Sequence, residues 1–181
     1  MVDDRTLLIR THKGHEASAR LLWERHAPAM LALAGAVLRA HAGVSADDVV
    51  QTAFCRVLQA DRASLKRVRE VRAWLCQVTR RVAINEIRGE RREGARRARA
   101  GAIRADPGPH ASDLCAAVDA LSRRDREVVM LKHAGGLTFD QIALALDINR
   151  STAASRYRAA IERLRAALTD DVTHLEEVAH G

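Results

Sequence analysis

The chain has 181 residues and a formal charge of +7, enough for one medium domain or two small ones. Hydrophobic residues make up 48% and aromatics only 3%, so a core has to be built from Leu, Val, Ile and Ala, a composition that favours helices over alternating strands. No run approaches the roughly 20 apolar residues of a membrane span, and MVDDRTLLIR has no apolar signal region, so neither membrane insertion nor secretion is expected. Cys55, Cys76 and Cys115 are widely spaced, with no CxxC pair. Small apolar packing roles in a reducing cytoplasm are therefore expected for them, Cys55 and Cys76 being read as buried, and no metal or cofactor is expected.

The charge is unevenly placed. Residues 1–61 balance to zero and residues 105–168 to +1, whereas residues 62–104 carry fourteen bases against four acids and residues 169–181 carry four acids and no Lys or Arg. The excess is nearly all Arg, whose guanidinium fork suits phosphate.

Helical periodicity begins near His15, with Leu22, Trp23, His26, Met30, Leu33, Ala34, Val37 and Leu38 at spacings of three and four. Pro28 is expected to kink this stretch or split it in two. After a break at HAGVSADD, Ser45 is an N-cap for a helix from Asp47 to about Gln59 with Val49, Val50, Ala53, Phe54, Val57 and Leu58 as its apolar set. Asp61 to Glu70 reads as basic and irregular. A long helix then runs from Val71 or Arg72 to about Arg92. On a helical wheel Trp74, Gln77, Arg81, Asn85, Arg88 and Arg92 fall within about 80° of one another. Such a stripe, one Trp with amides and arginines, suits single-strand capture: Trp stacks on a base and Arg holds phosphate.

Beyond Arg92 the apolar periodicity fades into Gly, Pro, Ala and Arg, which reads as a linker. In the second half, Ser122 caps SRRDREVVMLKHA and the pair Gly135–Gly136 ends it. Thr138 and Gln141 form a capping box for FDQIALAL, whose inner face is Ile142, Ala143 and Leu146. Asp147, Ile148 and Asn149 make a three-residue turn. The next helix, from about Arg150 to Leu168, buries Ala153, Tyr157, Ile161, Leu164 and Leu168. Its outer arc holds Ser151, Thr152, Ser155, Arg156, Arg158, Ala159 and Arg163. Two amphipathic helices with a short turn and an outward Arg/Ser face form a helix-turn-helix over roughly Asp119 to Leu168, fit to read duplex DNA. The segment TDDVTHLEEVAHG reads as a mobile acidic tail.

With these residues placed, the chain resembles a bacterial RNA polymerase sigma factor of the extracytoplasmic-function (ECF) type, over about residues 14–92 and 113–168. ADDVVQTAFCRVL is similar to the family's core-polymerase-binding helix, VRAWLCQVTRRVAINEIRGERR to its −10-reading and melting helix, and ALSRRDREVVMLKHAGGLTFDQIALALDINRSTAASRYRAAIERLR to its −35-reading domain. The resemblance implies an all-α fold of two small helical domains: residues 1–93 for polymerase binding and −10 recognition, 94–112 as a flexible basic linker, 113–168 for −35 recognition, and 169–181 as the tail. It implies no catalysis by the chain itself, with core RNA polymerase and promoter DNA as partners and an anti-sigma factor as a further one. Asp47, Asp48, Gln51, Phe54 and Arg56 would then face polymerase. Trp74, Gln77, Arg81, Asn85, Arg88 and Arg92 would meet the −10 element, and Asn149, Arg150, Ser151, Thr152, Ser155, Arg156 and Arg158 the −35 element. Ala154 and Ala159 stand where the family often has Lys and Arg, which leaves the duplex contacts mainly to Arg150, Ser155, Arg156 and Arg158. A free-standing helix-turn-helix regulator, its N-terminal half serving for ligand binding or dimerisation, is the alternative reading.

Overall fold

The short helix α1 (Asp4–His12) exists because Asp3 caps it: the Asp3 carboxylate accepts from the Thr6 amide at 3.0 Å, and Leu7 and Leu8 bury its inner side. It was not foreseen from the sequence, where two adjacent leucines make too weak a period. The computed structural model describes residues 2–39, 41, 43–98 and 113–179. Among them every regular element is a helix.

Helix α2 (Glu16–Leu38) runs unbroken through Pro28. The expected split does not occur because Pro28 is solvent-exposed, so the carbonyl that its missing N–H leaves unpaired can turn to water. Helix α3 (Ala46–Gln59) is capped as the sequence predicts, Ser45 accepting from the Asp47 amide at 3.2 Å. The stretch expected to be irregular contains a single-turn helix, α4 (Arg62–Arg67), nucleated by Asp61 accepting from the Ser64 amide at 2.8 Å and anchored by buried Leu65. Helix α5 (Val71–Ala98) passes the expected stop near Arg92. Gly89 and Gly94 alone do not end a run otherwise rich in Arg, Ala and Glu, since one interior Gly costs only about 1 kcal/mol. Of the expected linker, residues 99–112 lie outside the described part.

In the second half, α6 (Asp113–Ala120), α7 (Arg123–His133), α8 (Phe139–Leu146) and α9 (Arg150–Ala179) follow. Helix α9 does not stop at Leu168. The expected tail is helical to Ala179, consistent with a stretch that holds neither Gly nor Pro between Arg165 and Ala179.

The two halves are packed together. Helix α2 lies against α7, and α5 against α8. Leu131, Leu137, Ile142 and Leu146 belong to the same buried cluster as Leu22, Met30, Leu33, Leu75 and Cys76. A smaller cluster of Ala117, Leu121, Val129, Ala160 and Leu164 ties α6, α7 and α9 to one another. Each fully buried leucine here contributes on the order of 1.5–3 kcal/mol, so apolar burial dominates the contact between the halves. Polar pairs edge it: Arg39 with Asp119, and the Gln141 amide nitrogen donating to Glu70 at 3.2 Å.

Candidate nucleic-acid interface

Local sequence sets the helix-turn-helix. Ser122 accepts from the Asp125 amide and opens α7. Gly136 sits at φ +62°, a conformation that favours glycine, and Gly135 is closely packed: a Cβ there would lie 2.7 Å from the Leu131 carbonyl oxygen. The capping box at α8 is complete, Thr138 Oγ1 accepting from the Gln141 amide at 3.2 Å and Thr138 N donating to Gln141 Oε1 at 3.1 Å. Asp147 adopts the left-handed region, φ 57° and ψ 53°, where a short polar side chain is tolerated. Asn149 Oδ1 then accepts from the Thr152 amide at 2.7 Å and starts α9.

The recognition helix buries Ala153, Ala160 and Leu164, with Tyr157 and Ile161 partly buried. Tyr157 stacks edge-on against Phe139 and shares a hydrogen bond with His133 at 2.9 Å. Ser151, Ser155 and Arg158 are exposed; Thr152 and Arg156 are half-exposed. Several outer groups already have partners. Arg150 Nε lies 3.4 Å from Asp140, Arg158 Nε donates to the Ala154 carbonyl at 3.4 Å, and Arg163 donates to Asp125 at 2.7 Å. Among the described residues Arg156 has no ion pair or side-chain hydrogen bond.

On α5 the wheel is reproduced: Arg81, Asn85, Arg88 and Arg92 are exposed, while Leu75, Val82, Ala83 and Ile87 are buried. Trp74 and Gln77 differ from the rest of their stripe. They are half-buried in a cleft of about 570 Å³ between the halves, faced by Ala143, Leu144, Asp147 and Ile148. On α3, Asp47, Asp48, Gln51 and Arg56 are all exposed. Phe54 is less free than its neighbours, since its ring meets Trp23 edge-on with centroids 5.2 Å apart.

Charges inside the fold were the part sequence reasoning missed. Glu127 is 1% exposed; its Oε2 accepts from Arg80 Nε at 2.8 Å, and its Oε1 lies 3.5 Å from Arg123. The available signal was a Glu at helical spacing with the apolar Leu131 and next to Val128. Arg126 is buried as well and donates to the Asp119 and Leu121 carbonyls; burial pulls its pKa below the usual value. Cys76 is buried and its thiol is pushed up to about 12 by that burial. Cys55, expected to be buried, is exposed on α3, because it falls two residues from Ala53 and two from Val57, off their shared face. Among the described residues no three His, Cys, Asp or Glu side chains gather as a metal site, and no helix is long and apolar enough to cross a membrane.

This is an all-helical molecule with a helix-turn-helix in one half and an arginine-lined helix in the other. Two family models match in the same order: sigma-70 region 2 over residues 22–93 and sigma-70 region 4 over residues 113–164. The chain belongs to the sigma-70 family of RNA polymerase sigma factors, among those of ECF type. It is similar to the ECF RNA polymerase sigma factor SigK of Mycolicibacterium vanbaalenii, 33% identical over 107 residues that cover 53% of this chain and 55% of the relative. Similarity to SigK of Mycobacterium tuberculosis is 34% over 107 residues, covering 53% and 57%. The match thus spans a little over half the length of these relatives. In fold, the chain resembles CnrH solved in complex with the cytosolic domain of CnrY, with TM-score 0.66, 24% identity, and coverage of 93% of this chain and 98% of that one. It also resembles the sigma factor RpoE of Bartonella quintana, solved with the anti-sigma factor NepR, at TM-score 0.58, 23% identity, and coverage of 83% and 96%.

Proposed function

We propose that this chain is a promoter-specificity subunit: it binds core RNA polymerase, reads the −35 element as duplex and the −10 element as it opens, and leaves the chemistry of RNA synthesis to the polymerase. The observation that carries this reading is the conjunction of a fully capped helix-turn-helix with an exposed Arg81–Asn85–Arg88–Arg92 stripe in the order of the two matched regions. The working units are residues 1–93 and 113–168, with 94–112 between them and 169–181 after them.

On the −35 side the reading set is Asn149, Arg150, Ser151, Thr152, Ser155, Arg156 and Arg158. Arg can make paired hydrogen bonds to guanine, and the hydroxyls adapt to either partner. Asn149 doubles as the helix cap and acts through the position of α9. On the −10 side Trp74 and Gln77 supply a stacking ring and an amide, and Arg81, Asn85, Arg88 and Arg92 track the backbone. Asp47, Asp48, Gln51 and Arg56 offer polymerase a polar face that Phe54 underlies. Work beside RNA polymerase places the protein in the cytoplasm. The two solved relatives support an anti-sigma-type protein as a further partner, since RpoE was solved with one and CnrH with CnrY.

The test is reconstitution. Purified core polymerase with this chain should give initiation from a defined set of genomic promoters, read by run-off sequencing. Initiation from none, together with binding of a palindromic operator by the protein alone, would replace this reading with a free-standing regulator.

A further inference from the structure

A cavity of about 310 Å³ lies between α1 and α4, walled by Ile9, His12, Lys13, Arg62, Leu65 and Lys66. Leu65 is buried and Ile9 and His12 are half-buried, whereas Lys13, Arg62 and Lys66 are exposed. The floor is therefore apolar and the rim cationic. Among the described residues none of the three rim cations has an ion pair or a side-chain hydrogen bond; Lys66 engages only through its backbone carbonyl, which accepts from Arg5 at 2.8 Å. No carboxylate lines the cavity, and the adjacent Asp61 is engaged with the Ser64 amide at 2.8 Å. The cleft beside His26 is unlike it, since Asp3, Asp4 and Glu70 there offset the arginines.

We propose that this cavity binds a small amphiphilic anion, one acidic head held by Lys13, Arg62 and Lys66 over a short apolar body that lies on Ile9 and Leu65. Small-molecule sites are mostly apolar, with a few polar groups that fix orientation, and run from about 300 Å³ upward. This one stands at the lower end of that range, which selects a short chain or a single ring. Three cations without a counter-charge attract an anion, and its apolar body shields the floor from water. A bare inorganic ion would satisfy the rim alone, and a neutral hydrocarbon the floor alone. Occupation would also bridge α1 to α4, a single-turn helix whose one buried side chain is Leu65. The site stands apart from promoter reading, since none of its six residues belongs to the DNA-facing or polymerase-facing sets.

Sodium octanoate is the probe, titrated below its micellar range into the isotope-labelled full chain and followed by the backbone amide NMR spectrum. A ligand of this size, at modest efficiency per atom, should saturate with a Kd of roughly 1 mM or tighter, and the amides of α1 and α4 should shift together. Each methylene that enters should tighten binding roughly fourfold, so hexanoate should bind roughly 15-fold more weakly. Octanol and octyltrimethylammonium, which lack the negative head, should bind more weakly by about tenfold or more. Lys13→Gln/Lys66→Gln should weaken octanoate by a similar factor, and Ile9→Phe should block it by filling the floor. Arg124→Gln/Arg165→Gln removes the same charge from exposed positions in the other half and should bind like the parent.

Saturable shifts confined to α1 and α4, with the chain-length dependence and a loss in Lys13→Gln/Lys66→Gln that Arg124→Gln/Arg165→Gln does not share, support the site. Absence of saturation by about 10 mM octanoate overturns it. Equal binding of octanol or octyltrimethylammonium overturns it too, because the floor then acts without the rim, and so does octanoate binding that survives in Lys13→Gln/Lys66→Gln. Shifts induced by phosphatidylglycerol vesicles and not by octanoate replace the small anion with a membrane surface and overturn the proposal. If circular dichroism shows that Ile9→Phe does not fold, Lys13→Gln/Lys66→Gln, which alters only exposed side chains, decides alone.

Discussion

Replacing Arg156 by Ala separates base reading from general attraction to DNA. Arg156 lies in the second turn of α9, half-exposed, with no internal ion pair or side-chain hydrogen bond among the described residues. Truncation therefore breaks no polar fold contact and loses only the packing of its partly buried stem, about 1 kcal/mol or less of stability. If Arg156 reads a base edge, the loss on the cognate duplex is about 1–3 kcal/mol, which is about 5- to 150-fold. A scrambled duplex should lose far less. If it touches phosphate alone, both duplexes weaken together and the log–log salt slope falls by about 0.9. Arg150→Ala is the internal comparison. Its guanidinium is shared with Asp140 at 3.4 Å, an exposed pair worth roughly 0.2–1 kcal/mol, so its net effect should be smaller. The assay is fluorescence anisotropy with both duplexes at about 50 and 200 mM salt, using a −35 sequence taken from run-off data. An unchanged cognate-to-scrambled ratio with an unchanged salt slope would remove Arg156 from the interface.

Three further outcomes follow from packing and titration. His26 is 3% exposed, and burial lowers its pKa from 6.5 more than Asp4, 3.1 Å away, raises it, with Arg72 and Arg25 adding to the lowering. The unfolded chain then binds the proton first, so stability should fall as pH drops from about 6.5 through the lowered native value; urea melts between pH 7 and 5 should show a shallower slope for His26→Asn. Maleimide should label exposed Cys55 in the native state and leave Cys76, held up at about 12, unmodified until denaturant is added; native labelling of Cys76 would contradict the packed core. Thr138→Ala should cost about 1 kcal/mol through loss of the cap, and Gly135→Ala should cost more, because its Cβ would meet the Leu131 carbonyl oxygen at 2.7 Å; thermal melts rank the two, and a neutral Gly135→Ala would mean that the end of α7 yields.

Much of this protein was legible because its signals are local. A capping box needs only residues three apart, so Thr138 and Gln141 announce α8 before any tertiary contact exists. The positive φ at Asp147 belongs to a turn two residues from the Asn149 cap. The outward stripe of α5 follows from a period of 3.6 and survives in the fold. Where local signals were weak the reading was incomplete: α1 rests on two leucines and one Asp cap, α4 on a single buried Leu65. Helices α5 and α9 run past the ends that periodicity predicts, since the loss of apolar periodicity marks where a helix stops packing and not where its backbone stops.

What the sequence alone determined is therefore the main helices, most of their buried faces and the family to which they point. What only the tertiary structure decided is how the two halves meet. Arg80 and Glu127 are 47 residues apart in the chain, and the local signal, a Glu next to Val128 at helical spacing with Leu131, marks burial without naming the partner. Burial assigns the partner, because a carboxylate shut away from water must be matched by a cation that only the packed fold brings within reach. The same packing divides one helical stripe into a half-buried part, Trp74 and Gln77 at the cleft, and an exposed part beyond them. No period along the chain could have drawn that line.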